Sequence, residues 1–122
     1  MLTVPHEKKR TEGLRLLRAA MREFEGVGMR MEAGFVGLDL LEELVRDAAA
    51  TAEAQDLARR LADLFLAAGV VVSGAKALAY LQETVANRTV TPPLVGYVKT
   101  YVRRAEVYPE AAFKPPAPVG PA

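Results

Sequence analysis

The chain lacks cysteine and tryptophan, and it has a single histidine, His6, among its 122 residues. Without cysteine there is no disulfide, no thiolate nucleophile, no zinc–thiolate site and no iron–sulfur cluster. A single histidine leaves no partner for a histidine-based metal cage or a catalytic triad. The sequence therefore predicts no catalytic residue, no metal site and no cofactor, and a protein that is not an enzyme.

Charge of one sign and long apolar runs are also missing. The net charge is +1, and the longest uncharged run, residues 64–75, has twelve residues. A helix needs about 20 apolar residues to cross a bilayer. Residues 1–10 have no apolar core after their charges, so they do not form a secretory signal. We therefore expect a cytoplasmic protein with no membrane partner.

What the chain does contain is typical of one folded domain. Its length fits a single domain, and 51% hydrophobic residues exclude global disorder. There are 21 alanines, and 11 arginines against 5 lysines, with no isoleucine. This bias is typical of a high-GC bacterial or phage genome, and the scarcity of Asn and Gln fits a thermophile.

Apolar residues recur at helical spacing through most of the chain. The spacing predicts helices over 11–25, 38–68, 74–87 and 92–106. The region 38–68 has no large apolar side chain in its middle, so it is either two helices with a break near Thr51 or one long helix. Thr11, Ser73 and Thr91 are predicted N-caps. We expect an all-α fold, a single-domain bundle of four to five helices.

Two segments interrupt this pattern. Residues 26–37 contain four glycines and predict a glycine-rich connection. The alternative is an α+β fold in which a small hairpin pairs 29–36 with 70–72. After Tyr108, four prolines fall within 115–122, which predicts a flexible proline-rich tail over 109–122 beyond a helical domain of 1–108.

Carboxylates line one face of the second predicted helix. Asp39, Glu43 and Asp47 follow one another at intervals of four residues. A di-metal helical bundle would need Glu-x-x-His pairs, which the chain lacks. The stripe therefore predicts a solvated acidic face rather than a metal site.

The last helix carries the most suggestive side chains. Its candidate interaction surface consists of Tyr97, Lys99, Tyr101, Arg103 and Arg104. Tyrosine and arginine together are enriched at interfaces with proteins and nucleic acids. A second basic patch is formed by Lys8, Lys9 and Arg10. The alternative is that the tyrosines flank the core and the arginines keep the helix soluble.

These observations favour a non-enzymatic helical interaction module, a self-associating or docking subunit of a bacterial or phage assembly. The mean hydropathy is slightly positive without a membrane span, so we expect apolar surface to be covered by a second copy or another protein. The alternative is a nucleic-acid-binding accessory protein that contacts the phosphate backbone through 8–10 and the 92–106 helix. The regional net charges of +2 in 1–25, −4 in 38–68 and +2 in 92–108 leave that option open, although +1 overall is far from a strongly basic balance.

Overall fold

The computed structural model describes residues 5–110 and 112–115. Within these residues the chain forms five α-helices and a short 3₁₀ turn, Ala48–Ala50, and no strand. The helices are α1 (Pro5–Gly26), α2 (Arg30–Leu44), α3 (Thr51–Ala67), α4 (Val72–Ala86) and α5 (Pro92–Val107). The prediction of an all-α bundle is confirmed. The alternative with a hairpin of 29–36 and 70–72 is wrong, because both segments belong to helices or their connections.

Neighbouring helices run antiparallel. On α2, Gly34 faces Phe65 of α3, and Gly37 faces Leu61. The residue numbers on α3 decrease as those on α2 increase, so the two helices are antiparallel. Connections of three to six residues turn the chain back after each helix. The helices α2, α3, α4 and α5 form a ring in which each packs on two neighbours, and α1 packs on the outside of α2.

The core fills the centre of this ring. Its largest fully buried side chains are Leu38, Leu41, Leu44, Leu61, Phe65, Leu81, Val95, Val98 and Val102. Three of these leucines lie on α2, which has α1, α3 and α5 around it. A helix covered on three sides must be apolar around most of its circumference, and α2 is.

The connection before α2 is much shorter than the predicted glycine-rich connection at 26–37. Only 27–29 separate α1 from α2, so Gly34 and Gly37 are helical. A Cβ atom at position 34 would lie 2.5 Å from Cζ of Phe65, and one at position 37 would overlap Leu61. Glycine costs a helix about 1 kcal/mol relative to alanine. Here close packing offsets that cost, because the absence of side chains at these two positions lets α2 and α3 approach closely.

The first helix is longer than predicted. It begins at Pro5 rather than after Thr11, which lies inside it. Proline suits the first helical position because its missing N–H has no partner there in any helix. The prediction that Thr11 is an N-cap is therefore wrong.

The region 38–68 is two helices, as one of the two predictions had it. The 3₁₀ turn lies between α2 and α3, and α3 begins at Thr51, where the break was expected. The backbone N–H of Ala49 donates to Asp47 Oδ1 (2.9 Å), which caps the turn. Asp47, one carboxylate of the acidic stripe, is therefore the N-cap of the 3₁₀ turn.

The last two helices agree with the predicted ranges to within two residues. Thr91 caps α5 as predicted, because its Oγ1 accepts the N–H of Leu94 (3.3 Å). Ser73 is not a cap: α4 begins one residue earlier, and Val71 precedes it without a side-chain hydrogen bond. The Ser73 hydroxyl instead donates to the carbonyl of Pro109 (3.4 Å), which follows α5.

Candidate interaction surface

The residues of the predicted surface on α5 face in different directions. Val95, Val98, Val102 and Ala105 fill the core and so fix the orientation of the helix. The side chains between them are divided between α2 on one side and α4 on the other. The structure brings Tyr97 and Tyr101 together on the α4 side and Lys99 and Arg103 together on the α2 side.

The two cations on the α2 side contact the protein itself. The Lys99 ammonium donates to Asp39 Oδ1 and forms an ion pair with it. The Arg103 guanidinium lies 4.7 Å from the ring centroid of Phe35, a cation–π geometry. Phe35 packs edge-on against the buried ring of Phe65, with centroids 5.3 Å apart. Both cations therefore help to join α5 to α2.

Arg104 differs from them. Its side chain is exposed and forms no ion pair with any residue that the structure describes. Spacing of three and seven residues places it on the same helical face as Tyr101 and Tyr97. Of the three predicted cations on α5, Arg104 is the one available to a partner.

The second basic patch is also divided. Arg10 Nη2 donates to the carbonyl of Glu43 (2.7 Å), and its Nη1 lies 3.9 Å from Asp47 Oδ2. Lys8 and Lys9 are exposed. Arg10 contacts α2 at Glu43, near its end, whereas Arg103 contacts it at Phe35, roughly 12 Å away along the helix axis. The two basic patches therefore do not merge into one.

Ion pairs between helices bring oppositely charged segments of the sequence together. Three basic side chains of α1 and α5 pair with acids of α2, α3 or the connection between them, and Arg60 of α3 pairs with Glu25 of α1. The ion pairs between helices are Arg10–Asp47, Arg18–Glu53, Arg60–Glu25 and Lys99–Asp39. Arg18 binds Glu53 through two hydrogen bonds of 2.9 and 2.8 Å, which raise the pKa of Arg18 above its usual value.

The acidic stripe does not form a metal site in the described part of the chain. Asp39 pairs with Lys99, Glu43 lies 3.7 Å from Arg46, and Asp47 caps the 3₁₀ turn. Among the described residues no group of three His, Asp or Glu side chains converges.

A cavity of about 250 Å³ lies between α1 and α3. Its carboxylates are Glu53, bound by Arg18, and Asp56, bound by Arg59. Its remaining walls include Met21 and Leu57 with further arginines. Both carboxylates of this cavity are therefore paired with arginines.

An aromatic cluster that the sequence did not reveal lies between α4 and α5. The ring of Phe113 is surrounded by Tyr80, Tyr97 and Tyr101, with centroid distances of 5.5, 6.4 and 5.0 Å. The Tyr97 hydroxyl donates to the carbonyl of Lys114 (2.7 Å). The chain therefore turns back after α5 and lies in the groove between α4 and α5, which we call the tail groove.

The predicted flexible tail includes these groove residues. Pro109, Phe113 and Lys114 are bound to the bundle by the contacts just given. Residues 116–122, which carry three of its prolines, lie outside the described residues. An isolated phenylalanine inside a proline-rich stretch was the available signal that this segment could be anchored.

Exposed apolar side chains gather at one end of the bundle. Because neighbouring helices are antiparallel, the ends of α1, α3 and α5 lie beside the starts of α2 and α4. Among the described residues, eight large apolar side chains are exposed, and six of them lie there, between 42% and 73% accessible: Val27, Met29, Leu66, Val72, Val107 and Tyr108. We call this surface the apolar end. It is built from three separate stretches of sequence, 27–29, 66–72 and 107–108, so no local pattern could have shown it.

None of the helices in the described part of the chain is both long and apolar enough to cross a membrane. Comparison of the sequence with protein-family profiles and with curated proteins, and of the fold with solved structures, finds no match.

Proposed function

We propose that the protein is a non-enzymatic helical interaction module that associates with a second copy of itself through the apolar end. The observation that carries this proposal is the concentration of exposed Val27, Leu66, Val72, Val107 and Tyr108 at one end of the bundle. Soluble monomers seldom expose so many large apolar side chains together, and such patches mark interaction sites.

The charges around the apolar end favour a second copy as the partner. Arg30 and Arg104 are exposed there, together with Glu106 and Glu110. In a two-fold symmetric dimer each patch meets its own copy, so a rim of one sign would repel itself. A rim of both signs can place unlike charges opposite each other.

The non-enzymatic part of the proposal is supported by how the reactive side chains are used. The carboxylates Asp39, Asp47, Glu53 and Asp56 each bind an arginine or a lysine. We place such a module in the cytoplasm, as a subunit of a bacterial or phage assembly, in keeping with the composition of the chain.

Light scattering coupled to size exclusion tests the association. We expect the purified chain to elute as a dimer or larger at micromolar concentration. Leu66→Lys and Val107→Lys should shift it to monomer, because each puts a charge into the apolar contact. Lysine suits both positions, since they lie near helix C-termini, where a positive charge is favourable.

Leu16→Lys is the matched control. Leu16 is 55% exposed, similar to Leu66, but it lies in the middle of α1 and away from the apolar end. This variant should keep the parent's oligomeric state. A wild-type chain that is monomeric throughout the micromolar range would contradict the proposal, as would equal effects of all three lysines on association while circular dichroism stays unchanged.

The alternative function is binding to the backbone of nucleic acid. It is favoured by Lys8, Lys9 and Arg104, which are exposed and form no ion pair with the described residues. Lys99, Arg103 and Arg10 weaken it, because each contacts a side chain or carbonyl of its own protein. Changing the three exposed cations to glutamine should flatten the slope of log K against log salt by roughly two to three units if they contact phosphates.

A further inference from the structure

The tail groove holds a segment of the chain itself. Phe113 is a partly buried anchor inserted among three tyrosine rings. Hydrogen bonds to main-chain carbonyls hold the chain on both sides of it, from Ser73 to Pro109 and from Tyr97 to Lys114. Side-chain donors that bind backbone carbonyls around one aromatic anchor are the elements by which proteins recognise extended peptides.

The ligand chemistry can be stated from these contacts. The groove accepts one aromatic ring edge-on, since Phe113 meets Tyr101 at 76° and Tyr97 at 61°. Edge-to-face packing of this kind is favourable between aromatic rings. After the anchor come Lys114 and Pro115, and a proline favours an extended conformation in the residue before it. The groove therefore fits an extended segment with an aromatic residue two positions before a proline.

We propose that the tail groove also binds residues 109–115 of a second copy of the chain, so that two molecules can exchange these segments. The segment is the one peptide known to match the groove, and the same contacts serve within one chain or between two. Exchange of an identical element is an accessible route to a dimer. The groove adjoins the apolar end at Ser73 and Pro109. Its anchor site lies farther along α4 and α5, at Tyr80, Tyr97 and Tyr101, so the inference goes beyond the proposed function.

The tether sets which occupant is favoured. Only 108–112 connect the end of α5 to Phe113. A short flexible link gives its segment a millimolar effective concentration, so the chain's own tail excludes a competing peptide at low concentration. Removing the anchor from the chain, but leaving the groove, should therefore expose binding that the wild type hides.

The first experiment uses a fluorescently labelled peptide of residues 109–115 and the full-length chain. The Phe113→Ala chain should bind the peptide at least about tenfold more tightly than the wild type, because its groove is empty. A peptide with Phe113→Ala should not bind to either chain. Circular dichroism checks that the variant chain keeps its helices.

Two further substitutions in the Phe113→Ala chain locate the binding. Tyr97→Phe keeps the ring and removes the hydroxyl that donates to Lys114, so affinity should fall about fivefold. Tyr80→Phe is the matched control: it also removes a phenol hydroxyl, but one with no hydrogen bond among the described residues, and should leave affinity unchanged. Equal effects of the two would place the peptide outside the groove and overturn the proposal.

Exchange between two chains is tested by complementation. One chain carries Phe113→Ala, with an intact groove and no anchor; the other carries Tyr80→Ala and Tyr97→Ala, with an intact anchor and a damaged groove. Both carry Leu66→Lys, so that association through the apolar end does not contribute. We expect a one-to-one complex of the two chains, while each alone stays monomeric.

Each remaining outcome decides against exchange. A folded Phe113→Ala chain that fails to bind the peptide would show that the groove holds its own segment only as part of the fold. Equal peptide affinity of wild type and Phe113→Ala would show that the chain's own tail does not occupy the groove. If the peptide and complementation experiments fail, the proposed association through the apolar end is unaffected. That association is measured on chains whose tail groove is intact.

Discussion

Single residues decide how closely these helices can approach. Gly34 and Gly37 occupy a helix because Phe65 and Leu61 of α3 fill the space where side chains would be. Gly13 is also helical, on α1, but a Cβ there would meet no atom within 4 Å. The same residue type therefore serves close packing in α2 and has no packing partner in α1.

Substituting these glycines by alanine should change stability in opposite directions. Gly34→Ala gains about 1 kcal/mol of helix propensity but must push the rigid Phe65 ring aside, which costs about 1–3 kcal/mol. Gly13→Ala gains the same propensity without a clash and should stabilise the protein by about 0.5–1 kcal/mol. Denaturant unfolding measures both. A Gly34→Ala protein as stable as Gly13→Ala would mean that α2 and α3 do not pack as closely as described.

At the scale of elements, ion pairs and aromatic contacts join parts that the core alone does not hold. Helix α1 packs on one side of α2, and the pairs Arg18–Glu53 and Arg60–Glu25 connect it to α3. These side chains are partly exposed, so each pair contributes at most about 1 kcal/mol. The segment after α5 depends even more on one residue, since Phe113 supplies its ring contacts.

Phe113→Ala should therefore destabilise the protein measurably. Burying a phenylalanine side chain fully is worth about 1.5–3 kcal/mol, and Phe113 is partly buried, so we expect a loss of about 1–2 kcal/mol. That corresponds to a melting temperature lower by roughly 4–15 °C for a domain of this size. Tyr108→Ala is the control, an exposed aromatic residue in the same segment that should cost less than about 0.5 kcal/mol. An unchanged melting temperature for Phe113→Ala would support the flexible tail that the prolines suggested.

At the scale of the whole molecule, local patterns predicted the helices but not the surfaces. Thr91 followed by Pro92 marked the start of α5, and the lack of large apolar side chains before Thr51 marked the break between α2 and α3. The sequence could not show that Gly34 is helical, because glycine is needed there only to make room for the Phe65 ring on α3. The apolar end and the tail groove have the same origin: their residues meet only through the antiparallel arrangement.

The apolar end is the largest cluster of exposed apolar side chains among the described residues, which makes a distinctive prediction for salt. Association through the apolar end should change by less than about threefold between about 50 and about 200 mM salt, because screening weakens contacts between charges and leaves apolar contacts almost unchanged. Warming from about 5 to about 25 °C should strengthen it, since apolar burial weakens on cooling.

Binding to nucleic acid through Lys8, Lys9 and Arg104 would instead weaken about 40-fold over the same salt range, from three phosphate contacts. Sedimentation equilibrium at both salt concentrations measures the first, and titration of labelled DNA and RNA measures the second. Self-association that falls steeply with salt would assign the contact to the charged rim and not to Leu66, Val72 and Val107 at its centre.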